Sequence, residues 1–235
     1  MGILISSFLI LFIAYSISLR INGVVFSPKL KDRALRLEIL LWAKNFFLAG
    51  AGMTILGNSD TILVRHFFSS VESGQYAALS LMGKAIFYFT SPLYFAFFPL
   101  IAQKHTRGER LFNTVMLAFL LLVAASAGLS FIYFVFPNIV LKIFFPAKIY
   151  QSLASYLGLF SLYILVFSLA SLFNNFFLSI GKTFVYKATL FFSLVQIFLI
   201  FAFHRSFYQI IGILFLSSFL LLLFFLVYYA KHARD

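Results

Sequence analysis

Residues 57–76 read GNSDTILVRHFFSSVESGQY and join two strongly apolar runs. The stretch carries Asp60, Arg65, His66 and Glu72, although only 10% of the chain is charged. Two apolar helices joined by a short polar turn are typical of a membrane hairpin, because a helix satisfies its own backbone hydrogen bonds in lipid. The carboxylate near the end of the first helix then has to be explained by the rest of the sequence.

The composition of the chain is that of a membrane protein. Of its 235 residues, 63% are hydrophobic and the mean hydropathy is +1.04, whereas soluble domains are ~45–50% apolar. The excess lies in long runs, several of them near the ~20 residues that cross a bilayer core. A soluble bundle would need polar outer faces, which these runs lack. The sequence therefore predicts an all-α integral membrane protein.

Seven apolar runs are predicted to form transmembrane helices. They cover roughly 2–19, 38–68, 75–101, 113–136, 152–178, 187–204 and 208–230. No charged residue precedes Arg20, so the first run lacks the basic segment that begins a cleavable signal peptide. We interpret it as a retained helix whose N-terminus lies outside the cell.

The basic residues are distributed unequally between the two faces of the predicted bundle. Of the 18 Lys and Arg residues, twelve lie in loops on one face and four in loops on the other. The twelve are Arg20, Lys29, Lys31, Arg33, Arg36, Lys104, Arg107, Arg110, Lys182, Lys187, Lys231 and Arg234. Because cytoplasmic loops are enriched in Lys and Arg, we expect a multi-pass protein of the cell inner (cytoplasmic) membrane with a cytoplasmic C-terminus. The net charge of +12 then reflects orientation and contact with membrane lipids rather than nucleic-acid binding.

Two segments between the runs have the pattern of interfacial elements. In residues 27–40, apolar side chains recur at helical spacing between basic ones. That pattern suits either a helix in the cytoplasmic headgroup layer or a solvated basic linker. Residues 138–150 look like a counterpart on the outer face, interrupted by Pro146.

Charged residues inside the predicted spans are the main candidates for a substrate-binding or transport site. Lys84 falls near the middle of the third run, where a charge costs at least ~2.5 kcal/mol. It either faces a cavity or forms a buried pair with Asp60, which is the only acid within a predicted span. Lys44 either lines the same path or reaches the cytoplasmic surface with its long side chain. Arg65 lies about 140° around the helix from Asp60, so we expect it at the outer mouth, beside an interfacial His66.

Uncharged residues complete the set of candidates. Four polar side chains either line the path or form hydrogen bonds between helices: Asn45, Asn174, Asn175 and Gln196. Two prolines in the third run are candidate bends: Pro92 and Pro99. Three glycines leave one face of the second run small enough for close helix packing: Gly50, Gly52 and Gly57.

Enzyme chemistry has little support in the sequence. The chain has only six acidic residues and no cysteine. It contains no DxD pair on an outer loop, no HExxH and no glycine-rich phosphate loop. The lack of cysteine also excludes disulfides, thiolate catalysis and cysteine metal sites. We therefore predict that the protein is not an enzyme and uses no cofactor and no metal.

The order of these features resembles a known family. Residues 60–100, DTILVRHFFSSVESGQYAALSLMGKAIFYFTSPLYFAFFPL, resemble the polysaccharide biosynthesis protein family. These are lipid-linked oligosaccharide flippases of the multidrug/oligosaccharidyl-lipid/polysaccharide exporter superfamily. Members often carry an aspartate late in a helix, then an acid and a glycine before a tyrosine, here Glu72, Gly74 and Tyr76. The following helix ends in a proline-containing turn, here Phe98-Pro99-Leu100.

Two later segments are also similar to the family. Residues 139–160 resemble its outer loop before a later span, although Pro146 stands where glycine is common. Residues 171–187 resemble the segment that closes that span, with a turn at Gly181 and Lys182.

The resemblance implies a fold of two six-helix lobes that rock around a partly cationic cavity. It implies a cargo of lipid-linked sugars bearing a pyrophosphate, whose oxygens Lys44, Arg65 and Lys84 would bind as charged donors. Asp60 would balance these cations or couple transport to a cation.

The family has at least twelve spans, and the motifs here match the sixth to the twelfth. We therefore expect residues 1–19 to be the last helix of a first lobe, 20–37 to be a basic interfacial linker and 38–235 to be a six-helix C-terminal lobe. A second lobe or half-transporter would be the partner.

The function predicted from these observations is the flipping of lipid-linked oligosaccharide precursors across the cytoplasmic membrane for polysaccharide biosynthesis. A multidrug/cation antiporter of the same superfamily is one alternative, and an enzyme or non-transporting subunit of polysaccharide assembly is another. A site for a cationic drug would favour acidic walls. One intramembrane acid against two lysines therefore favours an anionic cargo.

Overall fold

The computed structural model describes residues 33–232, and the side chains of residues 37–231. The chain divides into two compact units, Met1–Leu41 and Trp42–Asp235, and the packing below is that of the second. In chain order the helices are α1 (Arg33–Phe67), α2 (Ser70–Thr106), α3 (Phe112–Val135), α4 (Pro137–Phe144), α5 (Ala154–Ser179), α6 (Val185–Ala202) and α7 (Phe207–His232). A short 3-10 helix, Lys148–Leu153, lies between α4 and α5.

Within residues 33–232, six helical segments are long and apolar enough to cross a membrane. They are Leu37–Phe67, Ser70–Thr106, Phe112–Val135, Lys148–Ser179, Val185–Ala202 and Phe207–Lys231. The described part of the chain contains no β-strand. The protein is therefore a multi-pass, all-α membrane protein, as its composition predicts. The six segments correspond to the runs predicted between 38 and 230, whereas the run at 2–19 lies outside the described residues.

A capping box explains the polar turn between the first two helices. The Ser69 hydroxyl accepts a hydrogen bond from the Glu72 backbone N–H at 3.3 Å. In return, Glu72 Oε2 accepts one from the Ser69 backbone N–H at 3.0 Å. This reciprocal arrangement satisfies two N–H groups that have no partner within the helix. Glu72 therefore helps to cap the N-terminal end of α2, and its side chain lies at the surface.

Helix α5 is the centre of the bundle. It packs extensively against α2, α3 and α7, while α6 packs against α7. Most of its membrane-crossing window is buried within the protein. Tyr133 of α3 also donates a hydrogen bond to the Met82 carbonyl of α2 at 3.0 Å, which links α2 and α3 directly.

Two of the three glycines in α1 permit close helix contact, as predicted. A methyl group built at Gly52 would lie 2.5 Å from Thr189 Oγ1 of α6, and one built at Gly57 would lie 2.8 Å from the Phe167 ring of α5. A methyl group at Gly50 would meet nothing within 4 Å. Gly52 and Gly57 therefore allow α1 to approach α6 and α5.

Two segments outside the spans are predicted to be interfacial. Helix α1 begins at Arg33, so residues 33–37 of the predicted basic linker are helical, and the linker itself stays a prediction. Residues 20–32 lie outside the described residues. On the other face, α4 and the 3-10 helix flank Pro146, as predicted.

Helix α2 continues through both prolines. Pro92 lacks the N–H that would bond the Tyr88 carbonyl four residues earlier. The Ser91 hydroxyl donates to that carbonyl at 3.0 Å and replaces the lost bond. The predicted bends at Pro92 and Pro99 therefore lie within one helix, Ser70–Thr106, and do not divide it into two.

Candidate functional site

An ion pair joins the first two membrane helices. Lys84 Nζ of α2 lies 3.3 Å from Asp60 Oδ1 of α1. The Asp60 side chain is 0% exposed and the Lys84 side chain is 12% exposed. Helical side chains lean towards the N-terminus of their helix, so Lys84 points back along α2 towards Asp60. The pair that the sequence suggested is thus present, and it leaves no net charge in the apolar interior.

Three polar residues of α2 form a stripe that faces Asp60 and the adjacent Thr61. Tyr76, Ser80 and Lys84 are spaced by four residues, which places them on one side of the helix. Tyr76 Oη donates to Asp60 Oδ2 at 3.0 Å. The hydroxyls of Ser80 and Thr61 lie 3.4 Å apart. One oxygen of the Asp60 carboxylate therefore accepts a hydrogen bond from the Tyr76 hydroxyl, and the other accepts one from the Lys84 ammonium.

The Lys84 ammonium also donates to Thr61 Oγ1 at 3.4 Å. Together with the bond to Asp60, this uses two of its three N–H donors. The third has no partner among the described residues. Because Lys84 lines a cavity, this donor is available to a bound molecule.

The cavity has a volume of about 360 Å³ and lies between α1, α2 and α5. Its lining residues fall within 46–58 of α1, 84–95 of α2 and 164–178 of α5. In α1 and α5 they recur at spacings of three and four residues, and those of α2 keep the same spacing with one turn left out, so each helix contributes one face. Four aromatic side chains from α2 form much of the wall: Phe87, Tyr88, Tyr94 and Phe95.

Lys84 marks one end of this cavity. Gly57, Phe87 and Phe167 lie at one level, because the two rings are 5.1 Å apart and a methyl group at Gly57 would touch the Phe167 ring. Lys84 precedes Phe87 by three residues, and most of the other lining residues of α2 and α5 lie between that level and the C-terminal ends of the two helices. We call that end of the bundle the basic end; the helix ends and turns there carry Lys104, Arg107, Arg110, Lys182 and Lys187.

Asn174 and Asn175 line the cavity near the basic end. Asn175 Nδ2 donates to the Ser171 carbonyl at 2.8 Å. The Asn174 side chain is almost fully buried, and its Oδ1 has no hydrogen-bond partner in the described part of the chain. Asn58 also lines the cavity and donates to the Thr54 carbonyl at 3.0 Å.

The other predicted site residues lie away from the cavity. Lys44 is exposed on α1, and Arg65 is exposed near the opposite end of the same helix. They are 21 positions apart, which is about 31 Å along a helix. Lys44 and Arg65 therefore cannot meet one phosphate group together with Lys84. His66 is exposed beside Phe67, with ring centroids 4.8 Å apart.

Two predicted polar residues form hydrogen bonds between helices instead. Gln196 Nε2 of α6 donates to the Leu56 carbonyl at 2.8 Å and to Ser59 Oγ at 2.9 Å. Asn45 Nδ2 donates to Thr183 Oγ1 at 3.3 Å. Both residues fix α1 against the chain near α6, and neither lines the cavity.

The sequence prediction missed Tyr76, Thr61 and the aromatic wall as parts of the site. A signal for Tyr76 was present, because polar residues at 76, 80 and 84 stand out on one face of an apolar helix. The aromatic wall had no comparable signal, since aromatic residues make up 20% of the chain.

Among the described residues, no group of three or more His, Asp or Glu side chains could hold a metal ion. No family model matches the chain, and neither the curated proteins nor the solved structures include a significant match. The family resemblance of residues 60–100 therefore stays a prediction.

Proposed function

We propose that this chain is one lobe of a transporter that flips lipid-linked oligosaccharides from the cytoplasmic to the outer leaflet of the cell inner membrane. It acts without covalent chemistry, together with a second lobe or half-transporter. The observation that carries the proposal is the Lys84 ammonium, which is held by Asp60 and keeps one donor directed to a cavity within the membrane helices.

The charge at the site supports an anionic cargo. Among the described residues, Lys84 is the only charged one that lines the cavity, and Asp60 lies behind it without exposed surface. A phosphate oxygen would accept a charge-assisted hydrogen bond from the free ammonium donor. A cationic drug would instead meet an ammonium group at the cavity wall, which disfavours the antiporter alternative.

The walls of the cavity support a cargo with both polar and apolar parts. Aromatic side chains of α2 line one side, and the amides of Asn58, Asn174 and Asn175 line the others. Ligand sites are commonly apolar with a few polar groups that fix orientation. A lipid-linked sugar presents a polyprenyl chain to the aromatic side chains, a diphosphate to Lys84 and hydroxyl groups to the amides.

The distribution of basic loops supports the direction of transport. The cavity extends from Lys84 towards the basic end, and an excess of Lys and Arg is typical of the cytoplasmic side of a membrane protein. Lipid-linked oligosaccharides that are assembled in the cytoplasmic leaflet would enter from that side.

The test is the rate of flipping in membrane vesicles from cells that express the chain and its partner lobe. The vesicles carry a polyprenyl-diphosphate oligosaccharide with a fluorescent label, and a membrane-impermeant quencher measures its transfer. A charge-assisted hydrogen bond contributes ~1.5–3 kcal/mol, so Lys84→Gln should slow flipping about tenfold or more. Lys142→Gln, on the exposed part of α4, is the matched control and should flip at the normal rate.

Normal flipping by Lys84→Gln would refute the proposal. The antiporter alternative would gain support if Asp60→Asn abolished efflux of a cationic dye while Lys84→Gln left flipping unchanged. Conversion of a labelled sugar donor by the purified protein would support an enzyme instead.

A further inference from the structure

Asn174 is a buried amide for which the described part of the chain supplies no partner. Its side chain lines the cavity, its residue is 4% exposed, and its Oδ1 is buried without a hydrogen bond. Buried polar groups are nearly always paired, because an unpaired one retains the full cost of leaving water. Oδ1 itself has almost no exposed surface, so a molecule in the cavity would meet the amide on its nitrogen side, or on its oxygen after the side chain flips.

The position of Asn174 separates it from the lysine. Lys84 lies three residues before the level of Phe87 and Phe167, and Asn174 lies seven residues beyond it along α5. Ten residues of helix correspond to about 15 Å along the bundle. One small anion cannot reach both groups, but an elongated headgroup can.

The chemistry of the amide selects the group that would bind it. An amide offers one acceptor and one donor side, and the two are exchanged when the side chain flips. A hydroxyl group both donates and accepts, so it satisfies the amide in either orientation. The neighbouring Asn175 uses its N–H group on the Ser171 carbonyl, which leaves its oxygen as an acceptor for a further hydroxyl.

We propose that Asn174, with Asn175, forms a saccharide subsite about 15 Å from the anion subsite at Lys84, so that the cavity recognises a headgroup bearing both phosphate and sugar. This inference rests on the proposed function and deepens it. The two subsites act independently, because each meets a different part of the headgroup. Lys84 recognises the charge that all such lipids share, and Asn174 distinguishes a glycosylated lipid from a bare one.

Equilibrium binding to the purified chain tests this subsite without requiring transport. The two radiolabelled probes are a short-chain polyprenyl diphosphate and the same lipid carrying a disaccharide. Asn174→Leu preserves the approximate side-chain volume but removes both hydrogen-bonding groups. It should weaken binding of the saccharide-bearing probe about tenfold and leave binding of the bare diphosphate unchanged. Lys84→Gln should weaken binding of both probes.

Thermal unfolding separates ligand recognition from a structural role. Replacing an unpaired buried amide by leucine should maintain or raise the Tm, because it removes an uncompensated polar group. A structural amide would instead lower the Tm on substitution. Asn174→Ala is a second variant with the same expected selectivity, and Asn138→Leu on the exposed surface of α4 is the matched control.

The inference would be overturned if Asn174→Leu changed the binding of both probes alike or of neither, or if the unmodified chain bound neither probe. Its failure is distinguishable from failure of the proposed function. Flipping that depends on Lys84 without saccharide selectivity at Asn174 would refute only the subsite. Saccharide-selective binding at Asn174 without flipping would refute only the transport function.

Discussion

Lys84 Nζ lies 3.3 Å from Asp60 Oδ1, and the two side chains differ in exposure. The carboxylate is enclosed by α1 and α2, whereas the ammonium reaches the cavity wall. Asp60 therefore makes a cation tolerable in the membrane interior, and Lys84 presents that cation to the cavity. The two roles depend on each other, because either charge alone would be buried without a partner.

The stability of the pair can be measured by a double-mutant cycle. Asp60→Asn removes the countercharge of Lys84, and loss of one partner of a buried pair costs about 3–5 kcal/mol. Lys84→Gln should also destabilise the protein, since it leaves the carboxylate unpaired. The double variant should regain much of the loss, because no isolated charge remains. Unfolding in detergent gives the coupling free energy, and additive losses would show that the two charges do not interact.

The phenol of Tyr76 should contribute separately to the same network. Tyr76→Phe keeps the ring and removes the donor to Asp60 Oδ2. A hydrogen bond to a charged group is worth about 1.5–3 kcal/mol, and we expect a loss of this size in the free energy of unfolding. Tyr208→Phe is the control, because Tyr208 is exposed and loss of its hydroxyl breaks no buried hydrogen bond. Equal effects of the two substitutions would contradict a buried bond at Tyr76.

The close contact between α1 and α6 predicts a difference between two glycines. A methyl group at Gly52 would lie 2.5 Å from Thr189 Oγ1 and 2.9 Å from the Leu190 backbone nitrogen, so side-chain rotation alone cannot relieve the overlap. Gly52→Ala should therefore destabilise the protein by about 1–3 kcal/mol. Gly50→Ala should be neutral or slightly stabilising, since alanine favours a helix and its methyl meets nothing within 4 Å. Thermal unfolding of both variants provides the comparison, and similar Tm values would argue against the close approach.

The membrane helices could be predicted from the sequence because long apolar runs have few alternatives in lipid. The Asp60–Lys84 pair could also be anticipated, because an isolated acid and a central lysine on neighbouring spans each need a partner. Polar spacing at 76, 80 and 84 would have extended that prediction to Tyr76. These inferences use only the order of residues along single helices.

The cavity could not be predicted in the same way. It depends on the rotation and approach of α1, α2 and α5, which are set by contacts such as Gly57 with Phe167. Asn174 and Gln196 are both polar residues in apolar helices, yet one lines the cavity and the other bonds the Leu56 carbonyl. Sequence spacing gives the face of a helix but not the neighbour that this face meets. For that reason the predicted path combined residues that line the cavity with residues that hold helices together.

The sequence-based set of three cations leads to a last prediction, because the structure separates its members. Lys44 is exposed on α1, and its side chain can reach the membrane surface at little cost. Lys44→Gln should therefore change the flipping rate less than twofold, whereas Lys84→Gln should slow flipping about tenfold or more, since of these two cations Lys84 alone lines the cavity. The same vesicles and labelled lipid serve for both variants, with protein amounts matched by immunoblot. An equal loss at both positions would mean that the cargo contacts α1 outside the cavity. The anion site would then have to include Lys44 as well as Lys84.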